Sequence, residues 1–214
     1  MPHEDVPGMI GMSDNLLFSP CDKPRYNACM NFVRRPHGGY DLYAQGYRRA
    51  AHILVQHLGV AGRSQDTLIY PVVFLSRQYF ELKVKYLLMQ LCTLLGRPPS
   101  HGKVHDLEKL WDECAGLIRE AGLEGADEAI EGVTGYIQEF HRADPTSKVF
   151  RYPMDTRGNP PLPDSTHVDI LNFHERTVEV EERLEAHDSY LQAAVNARRD
   201  FDQLIAYVCD VNEP

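Results

Sequence analysis

The side chains of this sequence that are equipped for chemistry fall into separate stretches. In the first, Arg77, Glu81 and Lys85 stand at steps of four. On a helix they share one face and pair in series, cation to carboxylate to cation. Such a row is either a salt-bridge ladder in water or a polar stripe on a buried helix, where pairing is what makes buried charge tolerable. In the second stretch, His105 and Asp106 follow Pro98, Pro99 and Gly102. They sit where a helix would begin, and the helix dipole favours an anion such as Asp106 there. The third, FHRADPTSKVFRYPMD, holds His141, Arg142, Asp144, Ser147, Arg151, Tyr152 and Asp155. Arg142 and Arg151 offer planar forks for a carboxylate or phosphate, and Phe150 and Tyr152 offer flat faces. The structural use of Arg151 and Asp144 would be to tie this segment to the body by ion pairs.

Two chemistries follow from these residue types. One is proton transfer by His105 or His141, with Arg77 or Arg151 stabilising charge that develops on a phosphate. The other is capture of a small anion or nucleotide, gripped by Arg77 and Arg151, with Tyr152 stacking on a base. Other chemistries lack their signatures. There is no Gly-rich phosphate loop, Walker pattern, G-x-S-x-G turn or HExxH. His101 and His105 are four apart, but Pro98, Pro99 and Gly102 interrupt any single helix carrying both. No metal site and no cofactor is expected.

The cysteines, Cys21, Cys29, Cys92, Cys114 and Cys209, are odd in number and form no C-x-x-C pair. That speaks against a disulfide framework or structural zinc and for reduced thiols in a cytoplasm. Cys92 and Cys209 stand among apolar residues, as small core hydrophobes do. The net charge of −9 disfavours sequence-independent duplex binding and anionic membranes. It leaves open a reader of single strands or of one RNA structure. Met1 to Ser19 lacks a basic segment followed by an apolar run, so no secretory signal is expected. Leu68–Leu95 carries Arg77, Glu81, Lys83 and Lys85 and makes a poor bilayer span.

The elements that must position these residues are helices. Strand signals are scarce, and the apolar spacing predicts an all-α, antiparallel bundle of four to six helices over residues 40–209. An irregular Pro-rich arm at 1–39 and a short tail at 210–214 flank it. Tyr40–Leu58 places Tyr43, Tyr47, Ala50, Ala51, Leu54 and Leu58 on one broad face, with Gly59 and Gly62 ending the helix. Asp66 is expected to cap the next helix, with Pro71 in its first turn and Gly96, Pro98 and Pro99 as its stop. About 40 Å long and apolar on most sides, this helix belongs at the centre. His105–Glu120 and Ala126–His141 read as shorter amphipathic helices. The segment 142–166, with five prolines and Gly158, is a long loop in which Val149–Tyr152 resembles a short strand. Structureless loops this long are usually functional or disordered.

From His167 to Cys209, Ile170, Phe173, Thr177, Val180, Leu184, His187, Leu191, Ala194, Arg198, Phe201, Ile205 and Val208 recur at alternating steps of three and four. That is a heptad pattern. A single helix of this length spans roughly 60 Å. It either projects beyond the body or breaks near Ala186–Ser189, and a projecting one needs a partner for its stripe.

Three pieces taken together, R-Q-x-x-E-L-x-x-K from Arg77 to Lys85, H-D-L-x-x-L-W from His105 to Trp111 and D-P-x-S-x-x-F-R-Y-P-x-D from Asp144 to Asp155, resemble bacterial HEPN-like proteins over residues 40–208. The resemblance implies an all-α bundle, frequent homodimerisation and a setting among RNA-targeting toxins, defence systems and nucleotide-handling proteins. Ribonucleases of that family use an R-x4–6-H motif whose Arg and His meet across a dimer and cleave RNA without metal. In this sequence Arg48–His52, Arg97–His101 and Arg183–His187 have three residues between them, and Arg49–His57 and Arg97–His105 have seven. No pair fits, so no catalytic residue is assigned. The resulting expectation is a non-catalytic binding and dimerisation module in an RNA-targeting, defence or stress-response system. The alternatives are a divergent metal-independent ribonuclease and a nucleotide-binding protein. Expected partners are a second copy of the chain, RNA or a nucleotide, or another protein, and no membrane.

Overall fold

The computed structural model describes residues 39–61, 63–98, 104–162 and 167–211, with Lys23, Arg25 and Ala28. The expected N-terminal arm falls almost wholly outside the described residues, as do His101, Gly62, Pro99 and the last three residues. The side chain of Cys209 is outside them too. Among the described residues the architecture is all-α, with five helices and no strand: α1 Tyr40–Ala61, α2 Gln65–Leu94, α3 Leu107–Glu120, α4 Ala126–Ala143 and α5 Ile170–Val211.

Helix α2 is the axis of the bundle and touches α1, α3 and α5. Its Tyr79, Phe80, Val84, Leu87, Leu88 and Leu91 are fully enclosed, as a helix apolar on most sides predicts. The ends depart from expectation at the start and agree at the finish. Asp66 is not the cap. The N-cap is Ser64, in the left-handed region at φ 70°, with Asp66 inside the first turn. Pro71 consequently lies in the second turn, where its missing N–H leaves the Thr67 carbonyl without a helical donor. At the far end Gly96 has φ 66°. Its N–H bonds to the Thr93 carbonyl at 3.1 Å and that of Arg97 to Cys92 at 2.8 Å. This is a Schellman closure, which requires the positive φ that glycine supplies.

Helix α1 buries Ala44, Ala51, Val55 and Leu58. The stripe is rotated from the expected one: Tyr43 is 46% exposed. The small Ala44 beside it faces inward instead, because alanines let α1 lie close against α2. Helices α3 and α4 close the other side through Leu107, Leu110, Trp111, Cys114, Ile118, Ile130, Val133 and Ile137. The one polar edge of Trp111 is satisfied by Thr134 Oγ1 at 2.9 Å. Cys92 and Cys114 are buried free thiols.

Helix α5 is continuous and does not break near Ala186–Ser189. Its Thr177, Val180, Glu181, Leu184 and Leu191 are buried against the bundle. Beyond Leu191 no side chain is buried through Val208, and from Ala197 to Val208 all are exposed, so the last turns stand out from the described bundle by on the order of 20 Å. Among the described residues no helix is long and apolar enough to cross a membrane.

Candidate functional site

The i, i+4 row on α2 becomes a buried junction around one carboxylate. Arg77 Nη1 donates to Glu81 Oε2 at 3.1 Å, and Lys85 Nζ donates to Oε1 at 2.8 Å. His105 Nδ1 lies 2.8 Å from that same Oε1. Arg77 Nη2 donates to the main-chain carbonyl of His105 at 2.7 Å. Arg77, Glu81 and Lys85 are all buried, so the row is a buried stripe and not a ladder in water. Burial pushes the Glu81 carboxyl upward, but hydrogen bonds from Lys85 and His105 and the charges of Lys85 and Arg77 outweigh it and hold the group below its ordinary value. Burial likewise lowers the Arg77 guanidinium, against the pull of Glu81 and Asp144. The His105 side chain, by contrast, is 71% exposed. With Nδ1 engaged, proton chemistry at this ring falls to Nε2.

Asp106 is the N-cap of α3, its Oδ1 accepting from the Lys109 amide at 3.2 Å. His141, at the end of α4, approaches Asp106 at 3.4 Å and Glu108 at 3.5 Å, without an aligned hydrogen bond at its Nδ1.

The loop folds back onto α2 through Asp144. This carboxylate is fully buried, and its Oδ1 accepts from the amides of Lys148 at 2.8 Å and Val149 at 3.2 Å. Those two bonds curl the chain, so Val149–Tyr152 is a turn and not the expected strand. Ser147 takes φ 58°, and its hydroxyl accepts from Gln78 Nε2 at 2.8 Å. Arg151 makes no ion pair among the described residues. Its guanidinium instead lies 5.5 Å from the centre of the Phe74 ring and 5.3 Å from that of Tyr152, within cation–π range. The tie to the body that sequence suggested as ionic is thus aromatic at Arg151, while Asp144 does place its charge near Arg77. Asp155 stands apart: its Oδ1 accepts from the Arg157 and Asn159 amides and folds a local turn.

The three stretches therefore meet along one side of α2, with His105 at Glu81, Asp144 at Arg77, Ser147 at Gln78 and Arg151 at Phe74. Most of the charge in this junction is neutralised internally. Arg77, being enclosed, presents nothing to a ligand. Among the groups left facing solvent are His105, Arg151 and Tyr152.

A second polar cluster joins α1, α2 and α5, and sequence reasoning missed it. Arg48 Nε donates to Glu181 Oε2 at 2.8 Å. Lys83 Nζ donates to Glu185 at 2.8 Å and to Asp188 at 2.6 Å. The Tyr79 hydroxyl lies 3.1 Å from Glu185, and Gln90 donates to Asp188 at 2.6 Å. His52 Nε2 sits 2.8 Å from Glu181 Oε2 without the alignment of a hydrogen bond, and Glu181 Oε1 has no partner. Burial drives the Glu181 carboxyl up to about 7 despite Arg48, and burial with Arg48 lowers His52. The signals were present as Arg48–His52 on one face of α1 and Glu181, Glu185 and Asp188 at steps of four and three on α5. What was missing was the pairing across more than a hundred residues.

Among the described residues no three His, Cys, Asp or Glu side chains are grouped to hold a metal ion. Comparison with protein-family models, curated proteins and solved structures yields no match to this chain.

Proposed function

We propose that this chain is a non-catalytic binding and dimerisation module of the HEPN-like kind, serving an RNA-targeting, defence or stress-response system. The observation that carries the reading is the outer part of α5. There Phe201 and Ile205 of the heptad seam, with Leu204 beside them, are 48–58% exposed beyond the last buried residue of the helix. A heptad-spaced apolar stripe in water is stabilised by a second stripe, and the natural partner is another copy of the same helix. The neutralised junction around Glu81 fits the same reading, since it orders the loop and spends its cations doing so. Sedimentation velocity over a hundredfold range of concentration tests the proposal. A dimer that Leu204→Asp with Ile205→Asp turns into monomer supports it; a wild-type monomer throughout overturns it.

One arrangement favours the alternative of a divergent, metal-independent ribonuclease. An exposed imidazole whose Nδ1 is fixed by a buried carboxylate, as in His105–Glu81, is oriented for proton transfer. Since Arg77 is enclosed, Arg151 would be the cation meeting phosphate. RNA left intact at high protein concentration removes this reading. Cleavage that His105→Ala abolishes would establish it over the first.

A further inference from the structure

Between α4, the start of α5 and the turn at Phe150 lies a half-open cavity of about 340 Å³, a volume suited to one small organic molecule. It is remote in chemistry from both polar clusters. Its walls are aromatic: Tyr136, Phe140, Phe150 and Phe173, with Val73 and Val180. Phe140 and Phe173 meet edge to face, with centres 5.8 Å apart.

The charges around it are unequal. Glu139 and Asp169 line the cavity and are exposed. Glu139 makes no ion pair among the described residues. Asp169 caps α5 by accepting from the Leu171 and Asn172 amides at 3.0 Å, which leaves its charge in place. The lining cation, Arg176, lies 2.8 Å from Glu179, a carboxylate it shares with Arg183, so its charge is offset only in part and the two lining carboxylates outnumber it. Glu179 also accepts from the Tyr136 hydroxyl at 2.9 Å, which fixes that ring in the wall.

We infer that this cavity is a binding site for a small organic cation bearing an apolar ring, of the arylalkylammonium class. Aromatic faces attract a cation through their quadrupoles, and do so best when it is weakly hydrated. Carboxylates on the lining complete the complementarity and repel an aromatic anion. The net charge of −9 adds long-range attraction for the same sign of ligand. This reading is independent of the dimer and of any RNA chemistry.

The test is titration calorimetry of the full chain with benzyltrimethylammonium, benzyl alcohol and benzoate, the probes sharing a ring and differing in charge. The cation should bind at least several-fold more tightly than the alcohol, and benzoate least. Glu139→Gln, at an exposed position where folding is safe, should weaken the cation by on the order of threefold and leave the alcohol unchanged. Phe150→Ala should weaken it by on the order of tenfold, with an unaltered circular dichroism melt as the check on folding. Absence of binding at about 10 mM cation, equal affinity for cation and alcohol, or a cation affinity indifferent to both substitutions would each overturn the assignment.

Discussion

Arg77 holds His105 by its backbone and not by its ring. The guanidinium Nη2 bonds to the His105 carbonyl at 2.7 Å, while the imidazole Nδ1 reaches past it to Glu81 at 2.8 Å. The residue just before the α3 cap is thus pinned at two points to α2. The pin depends on Glu81, because that one carboxylate also compensates Arg77 and Lys85.

Replacing Glu81 with Gln should therefore be among the most damaging single changes in this chain. It leaves two buried cations without their carboxylate, a loss of about 3–5 kcal/mol. Urea unfolding should show the midpoint fall accordingly. Replacing Arg77, Glu81 and Lys85 by Met, Leu and Met together with Asp144→Asn, which removes the buried charge facing Arg77, should cost far less than Glu81→Gln alone, because the desolvation penalty disappears with the charges.

At Asp144 two effects add, one on the loop and one on the charge facing Arg77. Asp144→Ala removes both, and the lost acceptor for the Lys148 and Val149 amides alone should cost roughly 1–2 kcal/mol. Hydrogen exchange should accelerate at those two amides before it does in α2. Asp144→Asn keeps an oxygen for them but withdraws the charge facing Arg77, so its loop should remain protected while global stability drops.

Glu181 gives a pH signature. Its carboxyl titrates near 7 in the fold, against 4.5 ordinarily, so between those values the folded state holds a proton that the unfolded chain has released. Its contribution to stability is present in full below about 4.5 and is lost as pH rises to about 7, a change of no more than about 3 kcal/mol. His52, lowered from 6.5, runs the other way: its contribution is lost as pH falls through the window below 6.5. Comparing wild type with Glu181→Gln isolates the first effect. The variant should gain relative stability steadily from pH 5 to pH 7, and a difference that is flat across that range would contradict the assignment.

Gly132 tests the contact between α4 and α5. An added Cβ would meet Arg183 Nη1 below van der Waals distance, with Cζ 3.2 Å away. The obstacle is the far end of a flexible side chain whose ion pair with Glu179 is exposed, worth about 0–1 kcal/mol. Alanine gains about 1 kcal/mol of helix propensity over glycine. Gly132→Ala should accordingly be neutral to slightly stabilising in thermal melts, with Arg183 swung aside.

Much of this was legible because it is local. The i, i+4 row at Arg77, Glu81 and Lys85, the stop at Gly96 and the heptad run in α5 are written in spacings of a few residues. The rotation of α1 was not, since Leu42, Tyr43 and Ala44 are apolar in succession and only the approach of α2 decides which turns inward. The Val149–Tyr152 turn looked like a strand because Val, Phe and Tyr favour strands, and the deciding bonds come from Asp144, outside the window. The partners of Glu181, Arg48 and His52, lie over a hundred positions away on α1. No periodicity carries that information.

The exposed end of α5 has a thermodynamic consequence of its own. A peptide of about twenty residues is only marginally helical by itself in water, so these turns borrow their order from the anchored half that nucleates them. In dilute solution they should unwind on heating as a gradual fraying, well below the temperature at which the bundle melts. A sloping ellipticity baseline that levels as protein concentration rises would then report association directly, with no label and no change of sequence.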